Sequence, residues 1–168
     1  MFEYRITKYD PAGRDDRGAY SRDEWTAYGD IGRTFGGEVL TLAEYQRVEE
    51  AYVAAALAFL REAGVETLTV EGLEARDHSP GIADGLSLGL STVAEVVRRA
   101  LREEFWCRLE GPEAFVHIGW DYYLYVGVPR TCPAAERLAQ RVGLHAESFR
   151  SPYRCLGPDP RDGSDEDS

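Results

Sequence analysis

The chain has 168 residues, 43% of them hydrophobic and 29% charged, with a formal net charge of −11. That length supports one domain whose core needs no disulfides. The excess of acid repels nucleic acid and anionic membrane surfaces, and it steers basic partners inward.

No apolar run is long enough to span a membrane. The opening Met-Phe-Glu-Tyr-Arg-Ile lacks the basic start and apolar stretch of a signal peptide. Cys107, Cys132 and Cys155 are too scattered for a disulfide framework, so a reducing cytoplasm is the expected setting.

In chain order, Phe2, Tyr4 and Ile6 alternate with Glu3, Arg5 and Thr7, which predicts a half-buried strand over Phe2 to Lys8. Asp10-Pro11-Ala12-Gly13 turns the chain. Arg14 to Glu38 reads as a long polar loop whose anchors are Trp25 and Ile31. Thr41 to Ala63 is the clearest helix. Thr41 and Glu44 stand at capping-box spacing, and Tyr45, Val48, Tyr52, Ala55, Ala56, Phe59 and Leu60 make one apolar face. Gly64 stops it, and Val65 to Val70 reads as a strand.

Gly72 to Gly89 is glycine-rich and shows no clear period. A second helix restarts near Ser91, with Thr92 and Glu95 at capping spacing. Val93, Val96, Val97, Ala100 and Leu101 face inward, and Arg98, Arg99, Arg102, Glu103 and Glu104 form a solvated face. Phe105 to Leu109 is a strand. Phe115 to Val128 is a strand pair meeting at Gly119-Trp120-Asp121. Pro133 to Val142 is a short helix, and Leu144 to Phe149 is a last strand.

The segment 157–168 has no apolar residue and reads as a disordered acidic tail after a single globular domain over residues 1–156. Strands grouped apart from helices predict an α+β fold. The expected architecture is a mostly antiparallel sheet of about five to six strands, carrying two long helices and one short one.

Catalytic signals are weak. Gly85-Leu-Ser87-Leu-Gly89 fits the serine nucleophile elbow, and Ser87, Asp121 and His145 follow the hydrolase chain order. The elbow needs a buried strand before the serine, and Asp77 to Asp84 is polar and broken. His78, His117 and His145 lack metal-pair spacing, Asp15-Asp16 lacks alternating calcium ligands, and no glycine loop suits a phosphate. Neither metal nor cofactor is expected.

The remaining signal is aromatic and acidic. Strand alternation through Trp120 to Tyr125 puts Asp121, Tyr123 and Tyr125 on one face and Trp120, Tyr122 and Leu124 on the other. Both faces carry rings. Either they form a binding surface of the hot-spot kind, or the long loop and Ser151-Pro152-Tyr153 cover them as a second small core.

Tyr4-Arg-Ile-Thr-Lys-Tyr9, Arg14-Asp15, Asp23-Glu-Trp-Thr26 and Asp30-Ile-Gly32 belong to a familiar pattern, as do Glu44-Tyr45, Trp106-Cys107, Gly119-Trp-Asp-Tyr-Tyr-Leu-Tyr125 and Ser151-Pro-Tyr153. Over most of residues 4–153 the chain resembles a family of small, mostly uncharacterised bacterial proteins associated with toxin-neutralising immunity proteins. The chain departs from that pattern in a shortened, glycine-rich Arg76 to Leu90 region. The resemblance implies no catalytic residues.

The expected function is therefore a non-catalytic, acidic protein-binding module, a candidate immunity protein with a basic protein partner. Its expected contact residues are Asp23, Glu24, Trp25, Trp120, Asp121, Tyr123 and Tyr125. The alternative is a small serine hydrolase using Ser87.

Overall fold

A computed structural model describes residues 1–77 and 81–154. His78, Cys155 and the segment 157–168 read as a tail lie outside the described residues. Among the described residues the fold is α+β: one seven-stranded antiparallel sheet, three α-helices and a small separate hairpin.

The elements in order are β1 (Phe2–Thr7), β2 (Thr34–Phe35), β3 (Glu38–Val39), α1 (Leu42–Glu62), β4 (Thr67–Ala75) and β5 (Ser87–Gly89). They continue with α2 (Leu90–Leu101), β6 (Phe105–Glu110), β7 (Phe115–Ile118), β8 (Leu124–Val128), α3 (Pro133–Arg141) and β9 (His145–Ser148). The large sheet runs β5-β4-β6-β7-β8-β1-β9, so β1 is inserted between β8 and β9. Among the described residues, β2 and β3 pair only with each other, at the end of the long loop.

The sheet holds more strands than the five to six expected. The additional main-sheet strand is β5, which lies where the sequence shows no period. Three residues pairing with Thr67–Thr69 are too short to show one. β4 also continues to Ala75, past a register shift between Glu71 and Glu74 where Gly72 takes φ +63°. Glycine reaches that left-handed conformation without strain, so the strand bends and stays paired.

α1 forms as its pattern predicts. Thr41 Oγ1 accepts the Glu44 amide at 3.1 Å, and every residue of the predicted apolar face is buried. The second half of the capping box does not form, because Glu44 turns to Arg47 at 2.9 and 2.7 Å. α2 begins at Leu90, one residue before Ser91, with Gly89 as its cap, so the capping box suggested by the Thr92–Glu95 spacing is not what starts it. Its charged face is not simply solvated. Arg102 reaches across to buried Glu49 on α1 at 2.8 and 2.7 Å, and Arg98 bonds Glu50 at 2.9 Å.

Tyr4 and Ile6 of β1, Phe105, Cys107 and Leu109 of β6, Val116 and Ile118 of β7, and Leu124, Val126 and Val128 of β8 pack with the helices into one core. The opposite face is polar and aromatic. Register aligns Arg5, Tyr125, His117 and Arg108 across four strands, with Glu147 beyond Arg5 at the edge.

That second face is roofed by two pieces of chain. Arg14, from the long loop, meets Glu147 at 2.6 and 3.0 Å, beside Arg5 on the same carboxylate at 3.0 and 2.9 Å. The strap after β9 is held by the Ser151 amide on Glu3 at 2.9 Å and by an Arg154–Glu3 ion pair. Phe115 lies flat on His117, with ring centroids 4.2 Å apart, and its ring fills the space where a side chain at Gly127 would go.

Candidate functional site

The strands of the β7–β8 hairpin meet as the sequence predicts, but Trp120–Tyr122 is not strand. It is a tight turn in which Asp121 (φ 56°, ψ 34°) and Tyr122 (φ 64°) both take left-handed backbone. Among the described residues, the non-glycine positions with positive φ are these two and Glu103. Each costs on the order of 1 kcal/mol or more, a cost the surroundings must offset.

The surroundings consist largely of tyrosines. The Tyr9 hydroxyl, from the end of β1, donates to the Asp121 carbonyl at 2.8 Å. The Tyr52 hydroxyl, from α1, donates to the Tyr122 carbonyl at 2.8 Å and accepts the Lys8 amide at 2.7 Å. The Tyr122 hydroxyl donates to that of Tyr45 at 2.9 Å. Burial pushes the Tyr9, Tyr45, Tyr52 and Tyr122 hydroxyls well above the ordinary tyrosine range, so they stay protonated donors. The Trp106 indole N–H adds a bond to the Ile118 carbonyl at 2.9 Å, one residue before Gly119.

This scaffold exposes Trp120. Its relative exposure is 77%, whereas Tyr122 behind it is 4% exposed and stacked edge-on against Trp25, Tyr45 and Tyr52. Trp120 edges a cleft of about 800 Å³ at the end of the sheet. Tyr28, the Arg102–Glu104 link between α2 and β6 with the first residues of β6, Glu74 and the hairpin turn form its walls. All three strained residues, Glu103, Asp121 and Tyr122, line it.

The seven residues expected to make the contact surface do not stand together. Trp120 and Asp121 line the cleft. Trp25 is buried against Tyr122 at 4.9 Å, with the Lys8 ammonium 4.0 Å from its ring, so it supports the turn from within and is no surface contact. Glu24 pairs with Lys8 at 2.9 Å, and Asp23 accepts the Gly36 amide at 2.9 Å; both organise the loop and neither lines the cleft.

Tyr123 and Tyr125 lie on the opposite sheet face. Tyr123 is half-buried against Tyr9, and Tyr125 is buried under Phe149 and Tyr153. For Tyr125, the covering strap expected as the alternative is what the structure contains, and Trp25 packs into the core as the loop anchor the sequence suggested. Alternation separated Tyr122 from Tyr123 correctly, but it grouped Trp120 with Tyr122, because it could not anticipate the left-handed turn between them. Tyr28, Glu103 and Trp106 were missed as cleft residues. Only the succession Arg-Glu-Glu after a helix marked Glu103, and that pattern reads as ordinary solvated surface.

The serine elbow is absent as geometry. Ser87 begins β5 in extended pairing with Thr69. β5 and β9 are the two edges of the sheet, so Ser87 and His145 are six strand steps apart, roughly 29 Å at ordinary strand spacing.

A different Ser-His-Glu set does form. His117 Nδ1 is 2.7 Å from Ser151 Oγ, and Nε2 is 2.7 Å from Glu110 Oε1. His117 and Ser151 are both buried, and Ser151 Oγ already accepts the Tyr153 amide at 3.2 Å. A nucleophile needs a reacting carbonyl beside it; this serine has chain packed there, so the set holds down the strap. Burial also pushes the Cys107 and Cys132 thiols up to about 12 and about 11, which keeps both protonated and unreactive near neutrality. Among the described residues, no three His, Cys, Asp or Glu side chains are grouped to hold a metal ion, and no helix is long and apolar enough to cross a membrane.

No family model, curated protein or solved structure matches this chain.

Proposed function

We propose that the chain is a non-catalytic, acidic protein-binding module, of the type that neutralises a bacterial toxin, and that the Trp120 cleft is its contact surface. The observation that carries this reading is the exposed Trp120 indole on a strained turn fastened by buried tyrosines. A free-standing fold gains nothing from leaving a tryptophan in water, whereas a binding surface gains a rigid anchor that loses little entropy on capture. The net charge of −11 supports a basic partner, since it speeds the encounter. The toxin-neutralising role rests on the sequence resemblance, and the cytoplasm is its proposed setting.

The test is growth rescue. The product of the adjacent gene is expressed in a heterologous bacterium, alone and with this chain. Toxicity that is relieved by the wild type and not by Trp120→Ala supports the reading. Neutral growth with the adjacent product alone, or full rescue by Trp120→Ala, contradicts it.

A further inference from the structure

Resting on the reading of the cleft as a protein contact, we infer that its occupant is a cationic side chain, arginine or lysine, carried on an exposed segment of the partner and seated against the Trp120 indole. The argument is which charges in the walls are already committed.

Two arginines and four carboxylates line the cleft. Arg102 is held by Glu49, a carboxylate only 1% exposed, through two bonds of 2.8 and 2.7 Å. Pulling it away would leave a buried charge unpaired, so Arg102 is not free to serve a ligand. Glu104 is likewise taken by Arg99 at 2.6 Å.

Glu74, Glu103 and Asp121 remain, exposed and without an ion-pair partner among the described residues, against the single further arginine Arg76. The cleft thus presents an excess of uncommitted negative charge beside an open indole face, whose own quadrupole attracts cations. An anionic or purely apolar side chain would leave those carboxylates desolvated and unmatched. A guanidinium or ammonium group satisfies both features at once, and the cleft volume of about 800 Å³ admits the side chain together with the backbone that carries it.

The experiment uses the full chain labelled with 5-fluorotryptophan, which gives one fluorine resonance for each of its three tryptophans. Trp120→Phe assigns the relevant one. The probe is acetylated hexa-arginine amide, with hexa-glutamate as control.

The expected result is a saturable shift of the Trp120 resonance with hexa-arginine alone, weakening as salt rises. In Glu103→Gln/Asp121→Asn the affinity should fall about fivefold, the scale of two partly exposed charge pairs. Asn suits the left-handed backbone at 121, so that variant is expected to fold, and an unchanged melting temperature together with an unmoved resonance from buried Trp25, which does not line the cleft, checks it. No Trp120 shift, an equal shift with hexa-glutamate, or unchanged affinity in the double variant would overturn the inference. If growth rescue depends on Trp120 while hexa-arginine fails to bind, the cleft is the contact and its occupant is not cationic. If hexa-arginine binds as described while Trp120→Ala rescues fully, the cleft recognises cations but is not the protective surface.

Discussion

At the scale of single residues, two positions show how closely the turn and the second face are specified. Tyr52 supplies the hydroxyl on the Tyr122 carbonyl and takes the Lys8 amide. Tyr52→Phe keeps the ring packing but removes the partner of the buried Tyr122 carbonyl and of the part-buried Lys8 amide, so it is expected to lower unfolding free energy by about 1–3 kcal/mol in a denaturant titration. A loss within error would mean that the hydroxyl does not hold the turn.

Gly127 is required for a different reason. Its backbone is extended, but a Cβ there would sit 2.1 Å from the Phe115 ring. Gly127→Ala must push that ring off His117, at an expected cost of about 1–3 kcal/mol in the same titration. Phe115→Leu in the same chain should recover part of it.

At the scale of elements, the strap and the long loop fasten through Glu147 and Glu3. Burial alone would raise the Glu147 carboxyl, but hydrogen bonds from Arg14 and Arg5 outweigh it and leave it below the usual value of 4.5. A depressed carboxylate stabilises the fold above its unfolded value, and that contribution is lost as pH falls through the folded value. Melting temperatures of wild type and Glu147→Gln should therefore differ at neutral pH and converge as pH falls below 4.5. A gap independent of pH would mean the ion pairs contribute nothing.

The helices and most strands were readable from sequence: the seven apolar positions of α1 all face the core, β1 appears where alternation placed it, and β6, β7 and β9 fall on the segments read as strands at Phe105 to Leu109, Phe115 to Val128 and Leu144 to Phe149. The cleft was not readable. It is made at element ends, where Glu103 and Asp121 leave regular backbone, and no period extends there. The fate of each tyrosine was set by packing from distant chain: Tyr125 is covered by Tyr153, and Tyr122 is enclosed by Trp25 and Tyr45. The sequence showed that both faces of the hairpin carry rings, but not which ring stays in water.

At the scale of the whole molecule, the sheet separates support from display. One face holds the helices, the other is closed by its own loop and strap, and the exposed indole is left at one end on a turn that α1 and β1 hold in place. The most direct measurement of this account is the affinity of the toxin relieved in the growth assay for wild type and Trp120→Ala, by calorimetry, with melting temperatures recorded beside it. A central anchor predicts a loss of about 2 kcal/mol or more, roughly thirtyfold in affinity, with the melting temperature unchanged. Equal affinity in the two proteins would contradict the account.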